Sequence, residues 1–176
     1  MPAPLIWLGA AALGAYTANK TNTNYLKRKQ IIDSMPGESN FISKPRNGSV
    51  VTCGIYGVLD HTGIWVDGNI YELSGSGLVR CVSADRFLTD RSGETIYVAC
   101  DLNNRPLSDS QAAVRARSLL YTALDYHLVN ENCHKFVAEI LANTTVSITS
   151  FSDLNTFLST HYETPIRWNR AKINFR

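Results

Sequence analysis

A two-residue turn between two β-rich runs constrains this chain more than any other feature of its sequence. The runs are His61–Val66 (HTGIWV) and Asn69–Leu73 (NIYEL), and the dipeptide Asp-Gly separates them. Asp-Gly in this place favours a tight turn, because both central residues of such a turn need positive φ. The turn predicts an antiparallel hairpin in which Gly63 faces Glu72.

The rest of the chain places strands before helices. Further β-rich runs at Ser49–Tyr56 and Thr95–Cys100 predict two more strands. Beyond them, apolar residues recur every three or four positions, which predicts helices at Ser110–Tyr126, after Asn132 and after Ser150. Asn and Ser are both good N-cap residues. This order predicts an α+β fold, with a small, mostly antiparallel sheet packed against helices.

The composition fits a single folded domain that does not bind nucleic acid. Of 176 residues, 44% are hydrophobic and 18% are charged, which excludes intrinsic disorder as the main state. Nucleic-acid binders normally have a strong basic excess, whereas the formal charge here is +2. The four cysteines form no CxxC pair, which disfavours a structural zinc site of the usual spacing. A metal site from Cys53, His61 and Cys133 is a minor alternative that nothing in their spacing favours, and we expect no metal and no cofactor.

The N-terminus carries an apolar run followed by a basic cluster. Ala3–Tyr16 is uncharged and is shorter than the roughly 20 residues that a membrane-spanning helix needs. No cation precedes it, which disfavours a cleaved secretory signal. The cluster consists of Lys20, Lys27, Arg28 and Lys29. The pattern of residues 3–29 therefore predicts one of two structures. The segment either contacts an anionic membrane surface or forms a helix docked on the domain's own core.

A polar connector follows, with loop signals at SMPGES and SKPRNGS. We therefore divide the chain into residues 1–46, the apolar segment and connector, and residues 47–176, the domain that carries the chemistry. We expect the protein to be membrane-associated or cytoplasmic, and secretion by a route without a signal peptide stays open.

Cys133 is the cysteine best placed to act as a nucleophile. It lies in the first turn of the helix predicted after Asn132, where free backbone N–H groups and the helix dipole favour a thiolate. Cys53 and Cys100 lie in β-rich runs and Cys81 lies in LVRCVS. None of these three positions is at a predicted helix N-terminus, which would stabilise a thiolate. The alternative is that Cys133 is a buried apolar residue on the inner face of its helix.

His61 and Glu72 are predicted to share one face of the hairpin. In the predicted register they are diagonal neighbours, roughly 7–8 Å apart. Gly63, directly opposite Glu72, leaves the carboxylate free to lean toward the imidazole. A carboxylate in this place fixes the tautomer of the ring and stabilises imidazolium, as the third member of a Cys-His-X triad does.

Two further histidines lie near Cys133 in the sequence. His134 is expected to be a poor base for the thiol, because adjacent residues on a helix do not face each other. His127 lies in the loop before the helix, as a second polar group of the site or as an exposed residue. If Glu72 pointed to the other face, Ser74 or His127 would orient His61.

Three motifs in this order resemble the circularly permuted papain-like superfamily. They are GSVV, DHTGIWVDGNIYELSG and YHLVNENCHKFV. The likeness is strongest to lecithin:retinol acyltransferase-like proteins, which read roughly Gly-x-Val-Val, His-x-Gly-Ile and Asn-Cys-Glu-His-Phe-Val; NlpC-type thiol hydrolases belong to the same superfamily. The resemblance covers Asn47 to Leu141 and implies a permuted papain-like fold. It implies Cys133 as nucleophile, His61 as general base and Glu72 as the third polar group.

Two positions depart from the family pattern. The acyltransferases carry a second histidine on the third strand, where this chain has Glu72. The cysteine is followed by His134 and Lys135 instead of Glu and His. Neither departure changes Cys133 or His61.

The resemblance implies a cysteine-dependent hydrolase or acyltransferase that cleaves an ester or amide through an acyl-enzyme. The apolar N-terminus and the basic residues favour a lipid substrate, a phospholipid acyl group first. A cysteine peptidase or amidase acting on peptides such as cell-wall stems is the alternative, with the same triad. A third hypothesis is a catalytically inactive binding module of the same fold.

Overall fold

The computed structural model describes residues 20–55, 59–89, 91, 93–124 and 132–173. Within these ranges, strands and helices form a mixed α+β fold around one open sheet. The strands are β1 Ile32–Ser34, β2 Ile42–Ser43, β3 Ser49–Ile55, β4 Leu59–Val66, β5 Asn69–Leu73, β6 Val79–Val82, β7 Tyr97–Cys100 and β8 Ile166–Ala171. The helices are α1 at residues 20–28, α2 Ala84–Leu88, α3 Ser110–Ser118, α4 Cys133–Ala142 and α5 Phe151–His161.

All the described strands belong to one sheet, in the order β1-β8-β7-β3-β4-β5-β6, and β2 also pairs with β8. Neighbouring strands from β8 to β6 run antiparallel, whereas β1 and β2 run parallel to β8. The predicted α+β class is confirmed. The sheet is larger than predicted, because the predicted small antiparallel sheet gains strands at both ends.

The β4–β5 hairpin has the register that the sequence predicts. Trp65 pairs with Ile70. The two turn residues have φ values of 48° and 84°, the positive values that this kind of turn requires. Because side chains alternate between the faces of a strand, this register places His61 and Glu72 on the same face.

No pattern in the sequence predicts β8, which lies between β7 and the two parallel strands. Its Trp168 is fully buried and donates a hydrogen bond to Asn155 of α5 at 2.8 Å. Its partners β1 and β2 lie inside the stretch predicted to be a polar connector. These pairings join residues more than 120 positions apart, and a local sequence pattern does not reveal such partners.

Helix α3 ends at Ser118, earlier than the predicted span of Ser110–Tyr126. The reason is a backbone turn: Tyr121 has a φ of 66° and its N–H donates to the carbonyl of Val79 at 2.9 Å. The chain after α3 therefore bonds to β6 instead of continuing the helix. Residues 125 and 126 lie outside the described residues.

Apolar side chains cover both faces of the sheet. The face under α3, α4 and α5 belongs to one core, which includes Val50, Ile64, Leu73, Phe136, Leu154 and Trp168. The opposite face belongs to a second core, which includes Val51, Cys53, Trp65, Ile70, Phe87 and Val98. Alternation along β4 thus directs Ile64 toward the helices and Trp65, with His61, toward Phe87 of α2.

The described helices include none long and apolar enough to cross a bilayer. Helix α1 is anchored by Leu26, which is buried in the core beneath the helices. Its Lys20 and Arg28 are exposed. The apolar run Ala3–Tyr16 lies outside the described residues.

Gly63→Ala is expected to destabilise the fold by overpacking. A β-carbon at this position would lie 2.5 Å from Cγ2 of Ile70 and 2.9 Å from the carbonyl oxygen of Tyr71. Overpacking of this kind costs about 1–3 kcal/mol. Urea denaturation should show a lower midpoint at an unchanged slope.

Gly75→Ala is the matched control, because a β-carbon there meets nothing within 4 Å. Its midpoint should equal that of the wild type. Equal midpoints for the two variants would contradict the expectation, since they would mean that the sheet accommodates a methyl group at position 63 without cost.

Candidate active site

Asn132 fixes the residue at which α4 begins. Its Oδ1 accepts hydrogen bonds from the backbone N–H groups of His134 and Lys135, each at 2.9 Å. Its side-chain amide donates to two backbone carbonyls in the segment before α5. Cys133 is therefore the first residue of α4, as the sequence predicts, and it is 5% exposed.

The Glu72 carboxylate is completely buried and is surrounded by cationic side chains. Its Oε2 lies 2.6 Å from Nε2 of His61 and 3.1 Å from a guanidinium nitrogen of Arg91. Its Oε1 lies 2.7 Å from Arg80. Burial alone would raise the pKa of Glu72, but the hydrogen bond from His61 and the nearby cations lower it to about 2. The carboxylate therefore stays ionised.

His61 is held between Glu72 and Cys133. Because its Nε2 is bonded to Glu72, Nδ1 is the nitrogen left for the thiol. Burial would lower the pKa of His61, but hydrogen bonding to Cys133 and to Glu72 outweighs burial and raises it. The ring also packs against Phe87, with 5.1 Å between ring centroids. The predicted pair of His61 and Glu72 is thus formed, and Ser74 bonds Ser76 instead.

The Cys133 thiol is strongly acidic for a buried cysteine. Burial would raise its pKa, but hydrogen bonding with His134 and with His61, together with their charge, lowers the pKa well below the usual range of a thiol. The sulfur also lies 4.0 Å from the carbonyl oxygen of Asp60. A thiolate beside an imidazolium is the arrangement of an activated cysteine nucleophile.

His134 lies closer to the sulfur than the sequence predicts. Its Nδ1 is 3.9 Å from Sγ of Cys133 and 3.1 Å from Oγ1 of Thr62. The expectation that adjacent helix residues do not meet is wrong here, because both side chains turn toward β4, which α4 packs against. His127 lies outside the described residues.

Asp60 is a further titratable group near Cys133, and none of the sequence motifs predicts it. Burial raises the pKa of its carboxyl to about 6, while His134 lowers it and Cys133 raises it. Alternation along β4 places Asp60 on the same face as Thr62, toward α4. This alternation is the sequence signal that points to it.

The two other buried cysteines lack this activation. Burial raises the pKa of Cys53 to about 12 and also raises that of Cys100. Cys53 pairs with His61 across β3 and β4, but its thiol donates to the carbonyl of Phe87, at 3.8 Å. Cys81 is exposed.

No group of three or more His, Cys, Asp and Glu side chains in the described ranges has an arrangement that could hold a metal ion. The groups that the structure does bring together are a thiol, an imidazole and a buried carboxylate, in that order. They are chemically suited to nucleophilic attack on an acyl carbon. No protein-family model matches the sequence, and no curated protein matches it.

Glu72→Gln is expected to destabilise the fold in a way that depends on pH. The variant leaves Arg91 and His61 without their counter-charge, and breaking a buried pair costs about 3–5 kcal/mol. A carboxyl whose pKa is lowered from 4.5 to about 2 contributes stability above pH 4.5 and loses it as the pH falls toward 2. The difference in free energy of unfolding between the variant and the wild type should therefore be largest at pH 7 and should shrink as the pH falls from 4.5 to 2.

Urea denaturation at a series of pH values measures this difference. Glu94→Gln, which removes an exposed carboxylate, should follow the wild type at every pH. A difference between Glu72→Gln and the wild type that stays constant down to pH 2 would show that the charge of Glu72 is not what stabilises the site.

Proposed function

We propose that this protein is a cysteine-dependent hydrolase or acyltransferase, with Cys133 as nucleophile, His61 as general base and Glu72 as the residue that orients His61. One observation carries the proposal. Cys133 begins α4 beside an imidazole whose other nitrogen is bonded, at 2.6 Å, to a fully buried carboxylate. An inert core cysteine needs no such arrangement.

The first half of the reaction forms an acyl-enzyme. Nδ1 of His61 takes the proton of the Cys133 thiol, and the thiolate attacks the carbonyl carbon of an ester or amide. The N–H groups of His134 and Lys135 are bonded to Asn132, so we assign the oxyanion to the N–H of Cys133. When the tetrahedral intermediate collapses, the bond to the leaving group breaks and His61 gives it the proton.

The second half returns the enzyme to its resting state. Water or an acyl acceptor gives a proton to His61 and attacks the thioester carbon. The bond between carbon and sulfur then breaks, and Cys133 leaves as the thiolate beside the protonated His61, the ion pair from which the next cycle begins. Glu72 remains ionised throughout and keeps Nε2 of His61 protonated, as the orienting member of such a triad does.

A permuted papain-like fold is part of the proposal. It is supported by the order of elements along the chain: the strand with GSVV, the hairpin that carries His61 and Glu72, and then the helix that begins with Cys133. α4 contacts β4 and β5, the two strands of that hairpin. The three motifs thus lie on a strand, on a hairpin and at a helix N-terminus.

A phospholipid acyl group is the substrate that we favour. The apolar run and basic cluster of residues 3–29 have the pattern of a membrane-surface segment. The domain also exposes two large apolar side chains at the edge of the sheet. Phe41 is 53% exposed and Ile42 is 63% exposed. Arg167, which also pairs with Asp33, lies over the Phe41 ring, and Ile42 is the register partner of Arg170.

Incubation with mixed phosphatidylcholine and phosphatidylglycerol vesicles tests the reaction and the substrate together. We expect release of fatty acid and, by intact mass, an acyl adduct on Cys133. Cys133→Ala should abolish both, and His61→Ala should slow acylation by about 10²–10⁴-fold, as loss of a general base does. Cys81→Ala, which removes the exposed cysteine, is the matched control and should retain full activity.

The other outcomes assign the alternatives. Cleavage of cell-wall stem peptides by a Cys133-dependent route, with no release of fatty acid, would identify a peptidase or amidase and overturn the lipid substrate. If acyl probes label Cys133 as slowly as they label Cys81, the proposed reaction is wrong. The protein would then be a catalytically inactive binding module of this fold.

A further inference from the structure

The side of β4 opposite His61 also presents polar groups to the Cys133 sulfur. Thr62 and Asp60 lie two residues apart on the face that contacts α4. His134, the residue after the nucleophile, is 8% exposed and has its Nδ1 against both Thr62 and Cys133. The imidazole ring is fixed on a third side by Phe151 of α5, with 5.5 Å between ring centroids.

The triad leaves this second imidazole without a role. His61 already serves as the base, and Glu72 already orients it. A buried imidazole that only filled space would not need a nitrogen directed at a sulfur atom. The distance of 3.9 Å between Nδ1 and Sγ is within hydrogen-bond range for sulfur.

We propose that His134 is a second thiolate-stabilising residue, whose Nδ1–H donates a hydrogen bond to Cys133 from the α4 side of β4 while His61 acts from the other side. The inference rests on the proposed function, because it assigns a further role around the same nucleophile. His134 is not a base in this assignment, and the proton of the thiol still goes to His61.

The donor assignment follows from the charge on the sulfur. A lone pair on Nδ1 would repel a thiolate, whereas an N–H stabilises it, so we place a proton on Nδ1. The same N–H is shared with Thr62, whose hydroxyl oxygen accepts at 3.1 Å. In agreement with this assignment, hydrogen bonding from His134 is the largest influence that lowers the pKa of Cys133.

The surrounding charges act in both directions on the thiolate. Asp60, on β4, opposes it, because an ionised carboxylate repels a thiolate, and its carboxyl ionises near pH 6. His61 supports it from the same strand. Glu72 on β5 and Cys53 on β3 lie on the far face, and Phe151 on α5 carries no charge. A pH profile of Cys133 therefore includes the ionisation of Asp60.

Two substitutions distinguish the effect of the Nδ1 donor from that of the aromatic ring. His134→Phe keeps an aromatic ring against Phe151 but has no donor. His134→Asn places an amide nitrogen near the position of Nδ1, where it donates to the sulfur but does not titrate. The rate of Cys133 alkylation by iodoacetamide, followed by intact mass from pH 4 to 9, gives the midpoint of thiol ionisation.

We expect the midpoint to rise by about one pH unit in His134→Phe, a tenfold change in the ratio of thiol to thiolate. His134→Asn should recover at least half of that shift. Asp60→Asn should move the midpoint in the opposite direction, to lower pH. If His134→Phe does not fold, His134→Gln takes its place, because its amide nitrogen lies near Nε2 and not near Nδ1.

A midpoint in His134→Phe equal to that of the wild type would overturn the inference, and so would a His134→Asn profile that matches His134→Phe. Alkylation reads the thiolate without a substrate, so this test is independent of the reaction. If His134→Phe shifts the midpoint but no ester acylates the wild type, the proposed function fails and the role of His134 remains. If the wild type is acylated but the midpoint does not move in His134→Phe, the proposed function stands and the role of His134 fails.

Discussion

The ion pair of Glu72 with His61 is the interaction on which the rest of the site depends. A carboxylate with no exposed surface is stable only when hydrogen bonds and opposite charges replace the water that it has lost. Those partners come from β4, from β6 through Arg80, and from the loop after α2 through Arg91. A slip of one residue in the hairpin would move Glu72 to the other face and leave a buried charge unpaired. The same interaction therefore enforces the register of the hairpin and the orientation of the imidazole.

Strand β4 divides the polar groups of the site into two sets. Its odd-numbered side directs His61 toward Glu72 and Phe87, and its even-numbered side directs Asp60 and Thr62 toward α4. The Cys133 sulfur reaches both sets because Asn132 begins α4 at the level of Asp60, whose carbonyl oxygen lies 4.0 Å from the sulfur. Two imidazoles on opposite faces of one strand thus act on one thiol.

The sequence was sufficient where the determinants are local. The Asp-Gly turn specifies the hairpin register, and the Asn132 cap specifies the first residue of α4, because each depends on contacts within a few residues. Arg80 and Arg91 could not be found in this way, since their contact with Glu72 depends on how β6 and the loop after α2 close over β5. The membership of β8 in the sheet also depends on distant partners. The contact of His134 with the sulfur could not be predicted for a different reason: helix periodicity describes directions around the helix axis, whereas the ring is held by Thr62 of β4 near the sulfur.

The contrast between Cys53 and Cys133 shows how the surroundings of a buried thiol set its pKa in this fold. Both thiols are buried, and burial raises the pKa of each. At Cys53 burial is the main cause of the raised pKa, and the thiol donates a hydrogen bond to the carbonyl of Phe87. Cys133 instead meets two imidazoles at a helix N-terminus, which stabilise the anion more than burial destabilises it. The difference lies in the hydrogen bonds and the charge of His134 and His61, which lower the pKa of Cys133. Proximity to His61 is therefore insufficient, since Cys53 pairs with His61 across the sheet and remains protonated.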